Sequence, residues 1–329
     1  MKTPLPLLFS YTDTKQFLSA LSPELRDVYS DEVIRLYNEG LPPVVSWGVL
    51  SIAMGISPHF INSILNDKDK YYRVFPIATG KGKGKKVRII ESPKVGLKII
   101  QSWIAHHLGL NVEKYLSNSA FAFIPGRNGI YEAALKHCEA KWVLSLDLRD
   151  FFHSIKSDRV VLCLQLIGYN LEQAKKIADV VTYKTRLPQG APSSPVISNI
   201  VFKETDDLIN KLIEGTDVVY TRYADDLTFS SVNENIDVES LKEAVFKILE
   251  DNAWSIANEK VKVSKVPNRL KVHGFLVHDS LPRLTKGYRN KLRAFEHLLR
   301  QGKILEEDLD RIRGHINYGK YIDRLNSRG

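Results

Sequence analysis

Cysteine is scarce, with only Cys138 and Cys163 in 329 residues. That leaves no disulfide framework and no zinc spacing, so both read as reduced packing residues suited to a reducing cytoplasm. Long apolar runs are missing as well. No stretch approaches the ~18 uninterrupted apolar residues that cross a membrane, and no membrane partner is expected. The opening Met1-Lys2-Thr3-Pro4-Leu5-Pro6-Leu7-Leu8-Phe9 is briefly apolar. Its two prolines, and Asp13 and Lys15 soon after, speak against a secretory signal. Internal repeats and low-complexity linkers are absent. What the chain has in excess is positive charge, 47 Lys and Arg against 38 Asp and Glu, which favours a polyanionic partner but would also suit a membrane surface. Its hydrophobic content of 43% is that of a globular protein with room for two or three packed lobes.

The most telling residues are acidic. Residues 218–231 read Val-Val-Tyr-Thr-Arg-Tyr-Ala-Asp-Asp-Leu-Thr-Phe-Ser-Ser, two β-prone runs with Asp225 and Asp226 where a hairpin turn falls. Adjacent charges there repel unless cations hold them. A third carboxylate closes residues 142–147, Trp-Val-Leu-Ser-Leu-Asp, an apolar run ending in Asp147 that predicts a buried strand. Three aspartates at facing strand ends can hold two Mg2+ ions about 3.5 to 4 Å apart, the apparatus of nucleotidyl transfer. A second pair, Asp206-Asp207, lies in a run of helical spacing and predicts a solvated helix face.

Around these residues the chain divides by pattern. Residues 1–68 predict helices, with Ser46 and Ser57-Pro58 as start signals and Gly55 as the break between two short ones. That pair has the outline of a helix-turn-helix but reads as a packing unit. Residues 71–90 predict a hairpin whose tip, Gly80-Lys81-Gly82-Lys83-Gly84-Lys85-Lys86, can approach phosphates. It lacks the Gly-Lys-Ser/Thr ending of a Walker loop, and a solvated turn is the alternative for the individual lysines. Arg88, on the returning strand, is the better candidate for a fixed phosphate contact.

Residues 97–112 predict an amphipathic core helix. Residues 120–124 predict a short strand entering a Pro-Gly turn with Arg127 at its mouth. The turn-rich 187–195, Leu-Pro-Gln-Gly-Ala-Pro-Ser-Ser-Pro, predicts a rigid surface on which Gln189 seats a base pair or nucleotide. Strand, helix, aspartate hairpin and helix in that order predict an α+β palm, with helices behind a mostly antiparallel sheet.

With these elements in place the chain resembles a bacterial retron-type reverse transcriptase over roughly residues 71–277. The specific matches are the 187–195 loop, Tyr223-Ala224-Asp225-Asp226, and Asp147 at the place of the first metal aspartate. The resemblance implies a right-hand polymerase fold: a helical N-terminal extension (1–68), fingers and an antiparallel palm (69–278) and a helical thumb (279–329). It implies catalysis by Asp147, Asp225 and Asp226 with two Mg2+ ions and dNTP substrates.

Further roles follow from the same likeness. Phe152, five residues past Asp147, would be the steric gate against a ribose 2′-hydroxyl, core packing being its alternative. Asp150 would lie near the triphosphate, acting through its backbone more than its carboxylate, with Gln189 on the nucleotide and Arg88 on phosphates. The partner lysine is Lys85 or Lys86. Lys260, in Asn258-Glu259-Lys260, and Gly274, in the primer-grip-like Val272-His273-Gly274-Phe275, are expected to meet nucleic acid along with Arg127. The basic stretch 282–329, with Lys286, Arg289 and Arg293, is expected to track an RNA-DNA hybrid.

His273, where retrons usually carry Thr, and Ala133, where they carry Asn, depart from the pattern. They leave open another defence-associated reverse transcriptase, protein-primed or untemplated. A non-catalytic RNA-binding scaffold is the remaining alternative. A retron-type enzyme implies a structured noncoding RNA, its RNA-linked DNA product and an effector protein in antiphage defence. The chain length leaves no room for an added nuclease or maturase domain of ordinary size.

Overall fold

The computed structural model describes Tyr11 and residues 13–79, 86–110 and 112–327. The chain begins with four helices, α1 (Thr14–Ala20), α2 (Pro23–Asn38), α3 (Trp47–Met54) and α4 (Pro58–Asn66). Ser22, Ser46 and Ser57 cap three of them, each hydroxyl accepting a backbone N–H of the first turn. Gly55 ends α3 at a φ of 65°, a conformation that suits glycine.

A hairpin of β1 (Tyr72–Thr79) and β2 (Lys86–Pro93) follows, then α5 (Val95–Leu110) and α6 (Gly129–Lys136). The chain then makes β3 (Trp142–Asp147), α7 (Phe151–Ser154), α8 (Ser157–Leu166), α9 (Leu171–Val181) and α10 (Ser194–Leu212). Next come β4 (Val219–Tyr223), β5 (Asp226–Ser231), α11 (Val238–Asp251) and β6 (Lys262–Lys265). It closes with β7 (Lys271–Val272), β8 (Phe275–Leu276), β9 (Arg283–Leu284), α12 (Lys286–Arg300) and α13 (Glu306–Asn326).

The site is carried by a four-stranded sheet of order β4-β5-β3-β6, antiparallel at every joint. Its apolar strands pack on α10, where Trp254 stacks with Phe151, Phe202 packs at a tilt against both, and the Trp254 indole donates to Thr205 Oγ1 at 2.9 Å. The N-terminal helices do not hold a core of their own. Residues from Phe17 to Trp254 form one buried cluster, and a smaller one joins α6 and the edge of β3 to β7–β9 and the C-terminal helices. There α12 and α13 approach closely at Gly319, where a Cβ would lie 2.5 Å from Leu292. No single helix among the described residues is long and apolar enough to cross a membrane; α3 and α4 pass such a test only as a pair bent by 116°.

Two expectations fail. Residues 120–124 form no strand; Ala120 alone makes a parallel bridge to Arg222, and Ala122 and Phe123 form a turn. The local pattern was apolar enough for a strand, but only one residue finds a partner edge. Asp206 does not lie on a solvated face. It is buried completely in an ion pair with Arg222 at 2.8 Å, while Asp207 beside it is exposed and pairs with Lys203. Helical spacing shows which face a residue takes but not that a buried guanidinium waits there.

Candidate active site

The register of the sheet brings the carboxylates together. Asp147 is the direct cross-strand partner of Asp226, and Asp225 sits in the two-residue turn between β4 and β5. Its companion in the turn, Ala224, has a φ of 58°, where glycine is the usual residue. The Asp225 carbonyl accepts from Leu148 N at 3.0 Å, fastening the turn to the end of β3. Beneath it His137 is buried and bridges β4 and β5, with Nδ1 2.7 Å from Ser230 Oγ and Nε2 2.7 Å from Thr221 Oγ1. Burial, helped by nearby His273, pushes its pKa down to about 3, so the brace is a neutral imidazole.

Like charges opposite each other on a ladder destabilise it, and the carboxyls show the strain. Burial raises Asp225, with Asp147 adding repulsion. Asp226 is pushed up to about 7, first by burial and then by the charges of Asp225 and Asp147. Asp226 is also exposed on its cavity side, so water screens part of this. Lys260 supplies the compensating charge, its ammonium paired with Asp147 Oδ1.

Among the described residues no three His, Cys, Asp or Glu side chains form a ready-made cation shell. The donors nevertheless suit a hard divalent ion, being carboxylate oxygens crowded until they hold a lysine and resist ionisation. Lys260 and such an ion would compete for the Asp147 carboxylate.

One cavity of about 690 Å³ is lined by Arg88, Asp147, Asp150, Phe152, Gln189, Asp225, Asp226 and Lys260. These are eight of the residues singled out from sequence, drawn from five separated stretches of chain. Asp150 has a φ of 49°, strain of the kind stored at functional sites. Gly190 explains how Gln189 arrives: its φ is 128°, and a Cβ there would lie 2.9 Å from Ile90 and 3.2 Å from the Glu91 carbonyl. Only glycine lets the 187–195 loop lie this close to β2, where Glu91 N donates to Gln189 O at 2.8 Å.

The remaining candidates lie elsewhere. Arg127 donates to Ala120 O at 3.3 Å and lines a second cavity of about 470 Å³, with Tyr223, Tyr318 and Tyr321. Gly274 is exposed at a φ of 88°. Lys286 begins α12 and Arg293 lies exposed along it, whereas Arg289 is held by Asp323 of α13 at 2.6 Å. Lys85 lies outside the described residues, and Lys86 opens β2.

Sequence reasoning missed Glu91, a buried carboxylate that accepts from Arg186 Nη2 at 2.8 Å and faces His153 Nε2 at 3.1 Å. It joins β2 to the segment after Asp150, and no local signal marked it. It also missed Phe123, which lines the main cavity with its ring centroid 6.4 Å from Phe152 and 6.5 Å from Tyr223.

Residues 80–277 match the family described as reverse transcriptase (RNA-dependent DNA polymerase). The Retron Ec86 reverse transcriptase of Escherichia coli is 29% identical over 89% of this chain and 90% of its own length. The Retron Mx65 reverse transcriptase of Myxococcus xanthus is 30% identical over 92% of this chain and 73% of its own. Among solved structures, a truncated apo telomerase from Candida tropicalis superposes with a TM-score of 0.44 at 11% identity, covering 70% of this chain and 61% of that one.

Proposed function

This chain belongs to the reverse transcriptase (RNA-dependent DNA polymerase) family and to its retron type, and from that premise we propose that it copies a structured noncoding RNA into a short DNA. The product stays joined to RNA and bound to the protein, and with an effector protein the complex serves antiphage defence in the cytoplasm. The enzyme is an RNA-directed DNA polymerase of the right-hand α+β fold. Residues 1–68 are read as its helical extension, 69–278 as fingers and palm, and 279–329 as thumb.

The observation that supports this most is the convergence of eight candidate residues on one cavity beside the Asp147–Asp226 ladder pair. Asp147, Asp225 and Asp226 would hold two Mg2+ ions, which would supply charge compensation for the primer oxygen as it gives up its proton and for the leaving pyrophosphate. Around them the protein binds and orients. Arg88 and the freed Lys260 meet triphosphate oxygens, the strained backbone at Asp150 offers its amides, and Gln189 supports the base. Phe152 closes the space a 2′-hydroxyl would need. Arg127, Gly274, Lys286 and Arg293 are read as contacts for the template and primer strands; the assignment of Lys85 or Lys86 to phosphates rests on sequence alone. Arg289 contributes by tying the two thumb helices together.

Because Lys260 pairs with an Asp147 oxygen open to a metal, Lys260→Met is expected to lower, several-fold, the Mg2+ concentration that half-saturates the thermal shift of the free protein. The same substitution should raise the dNTP KM about tenfold through the lost phosphate contact. An unchanged Mg2+ dependence would remove the competition. The retron reading itself is tested by sequencing nucleic acid that copurifies with the protein. One short DNA covalently joined to a defined RNA is expected. Heterogeneous DNA without an RNA branch would instead indicate a protein-primed or untemplated relative.

A further inference from the structure

Beneath the carboxylate turn lies a polar chain that the catalytic roles above do not use. Arg222 and Asp206 are each 0% exposed. Arg222 donates from Nε and Nη2 to Asp206 at 2.8–3.1 Å, and Asp206 also accepts from the Tyr220 hydroxyl at 2.7 Å. The third guanidinium nitrogen leaves the pair. Arg222 Nη1 donates to Asn199 Oδ1 at 3.0 Å and to the Ala224 carbonyl at 3.3 Å. Asn199 Nδ2 in turn donates to the Ala122 carbonyl at 2.7 Å. The main chain of Arg222 repeats the link, accepting from Phe121 N at 2.9 Å and donating to Ser119 O at 2.7 Å.

The two carbonyls at the ends of this chain adjoin the strained points of the cavity. Ala224 has a φ of 58° and precedes Asp225; Phe123 has a φ of 61° and follows Ala122. Non-glycine residues hold such conformations only where surrounding contacts over-determine them. Asp225 and Phe123 line the same cavity, and Phe123 faces Phe152.

We propose that Asp206, Arg222 and Asn199 are positioning residues that hold the Asp225 turn and the Phe123 loop in fixed relation across the cavity. One tie sets a metal-binding carboxylate; the other sets the aromatic wall against which the nucleotide sugar is measured. The proposal rests on the nucleotidyl-transfer reading of that cavity. It differs from a purely structural ion pair, because a fully buried pair can be exchanged for apolar residues of similar volume with little loss of stability. Only a positioning role makes that exchange costly to the reaction.

The test is the double variant Asp206→Leu with Arg222→Met in the full chain, assayed beside wild type for melting temperature, template RNA binding, and kcat and KM for dNTP. Expected are a folded protein with RNA binding close to wild type, a melting temperature lowered by the bonds lost at Tyr220, Asn199 and Ala224, a kcat lower by about 100-fold, and a raised Mg2+ requirement. A folded double variant with wild-type kcat overturns the proposal. Should this variant fail to fold, Asn199→Ala decides, since it keeps the ion pair and cuts only the ties through Asn199. It is expected to lose about tenfold in kcat and to admit ribonucleotides more readily. Wild-type kcat together with wild-type sugar preference overturns the proposal there too. If wild type itself extends no primer, the polymerase reading fails first, and that outcome is distinguishable from either variant result.

Discussion

Asp225→Asn is expected to lower primer extension by about 1,000-fold or more while leaving template RNA binding within about threefold of wild type. The substitution is nearly isosteric, so the turn between β4 and β5 keeps its bond from Leu148 N to the Asp225 carbonyl. What disappears is one negative charge among three carboxyls already in electrostatic contact. Positioning and charge compensation carry most of the catalysis in nucleotidyl transfer, so a missing ligand acts on the transition state rather than on affinity. The nucleic-acid contacts proposed above, at Arg127, Gly274, Lys286 and Arg293, lie outside this turn. Extension at the wild-type rate by a folded Asp225→Asn protein would end the metal assignment. Because a like charge is removed, the free protein should also melt no lower than wild type, which separates lost catalysis from lost fold.

Phe152→Ala is expected to raise the use of ribonucleotides relative to deoxynucleotides by about 10- to 200-fold, the range a single packing contact can discriminate. The neighbouring ring provides the control. Phe151 is buried, stacks with Trp254 at 5.6 Å and meets Phe202 at a tilt at 5.9 Å, so Phe151→Ala should cost about 3 to 5 kcal/mol of stability. Phe152 is only partly buried and lines the cavity with Asp147. The two substitutions should therefore divide, one lowering the melting temperature and the other relaxing sugar choice. A Phe152→Ala enzyme with unaltered preference would return this ring to ordinary packing. Two adjacent phenylalanines cannot be told apart by composition, since helical rotation and the position of Trp254, about a hundred residues on, decide which one faces the cavity.

Much of the site was legible because its signals are local. An apolar run ending in Asp147, β-prone residues flanking Asp225-Asp226, and the helix starts at Ser46 and Ser57-Pro58 each state their structure within a few residues, and the sheet register and helix caps agree with them. Gly190 in its Pro-rich loop was legible as a turn but not as the close approach to Ile90 that brings Gln189 into place. Where the reading went wrong, the missing information was distant. Asp206 on a helix of polar-looking spacing meets Arg222 on a strand, and Ala120 finds one bridging partner instead of a ladder.

The amino-acid sequence by itself determined that three carboxylates would stand at strand ends in an α+β fold with a basic helical tail, because alternation, turn chemistry and charge are properties of short stretches. Tertiary structure alone decided how those carboxylates are kept: Lys260 on Asp147, His137 bracing the hairpin and Arg222 buried against Asp206. A buried charge or a neutral buried imidazole is tolerable only with its partner in place, and each of these partners arrives from a separate element, often far along the chain.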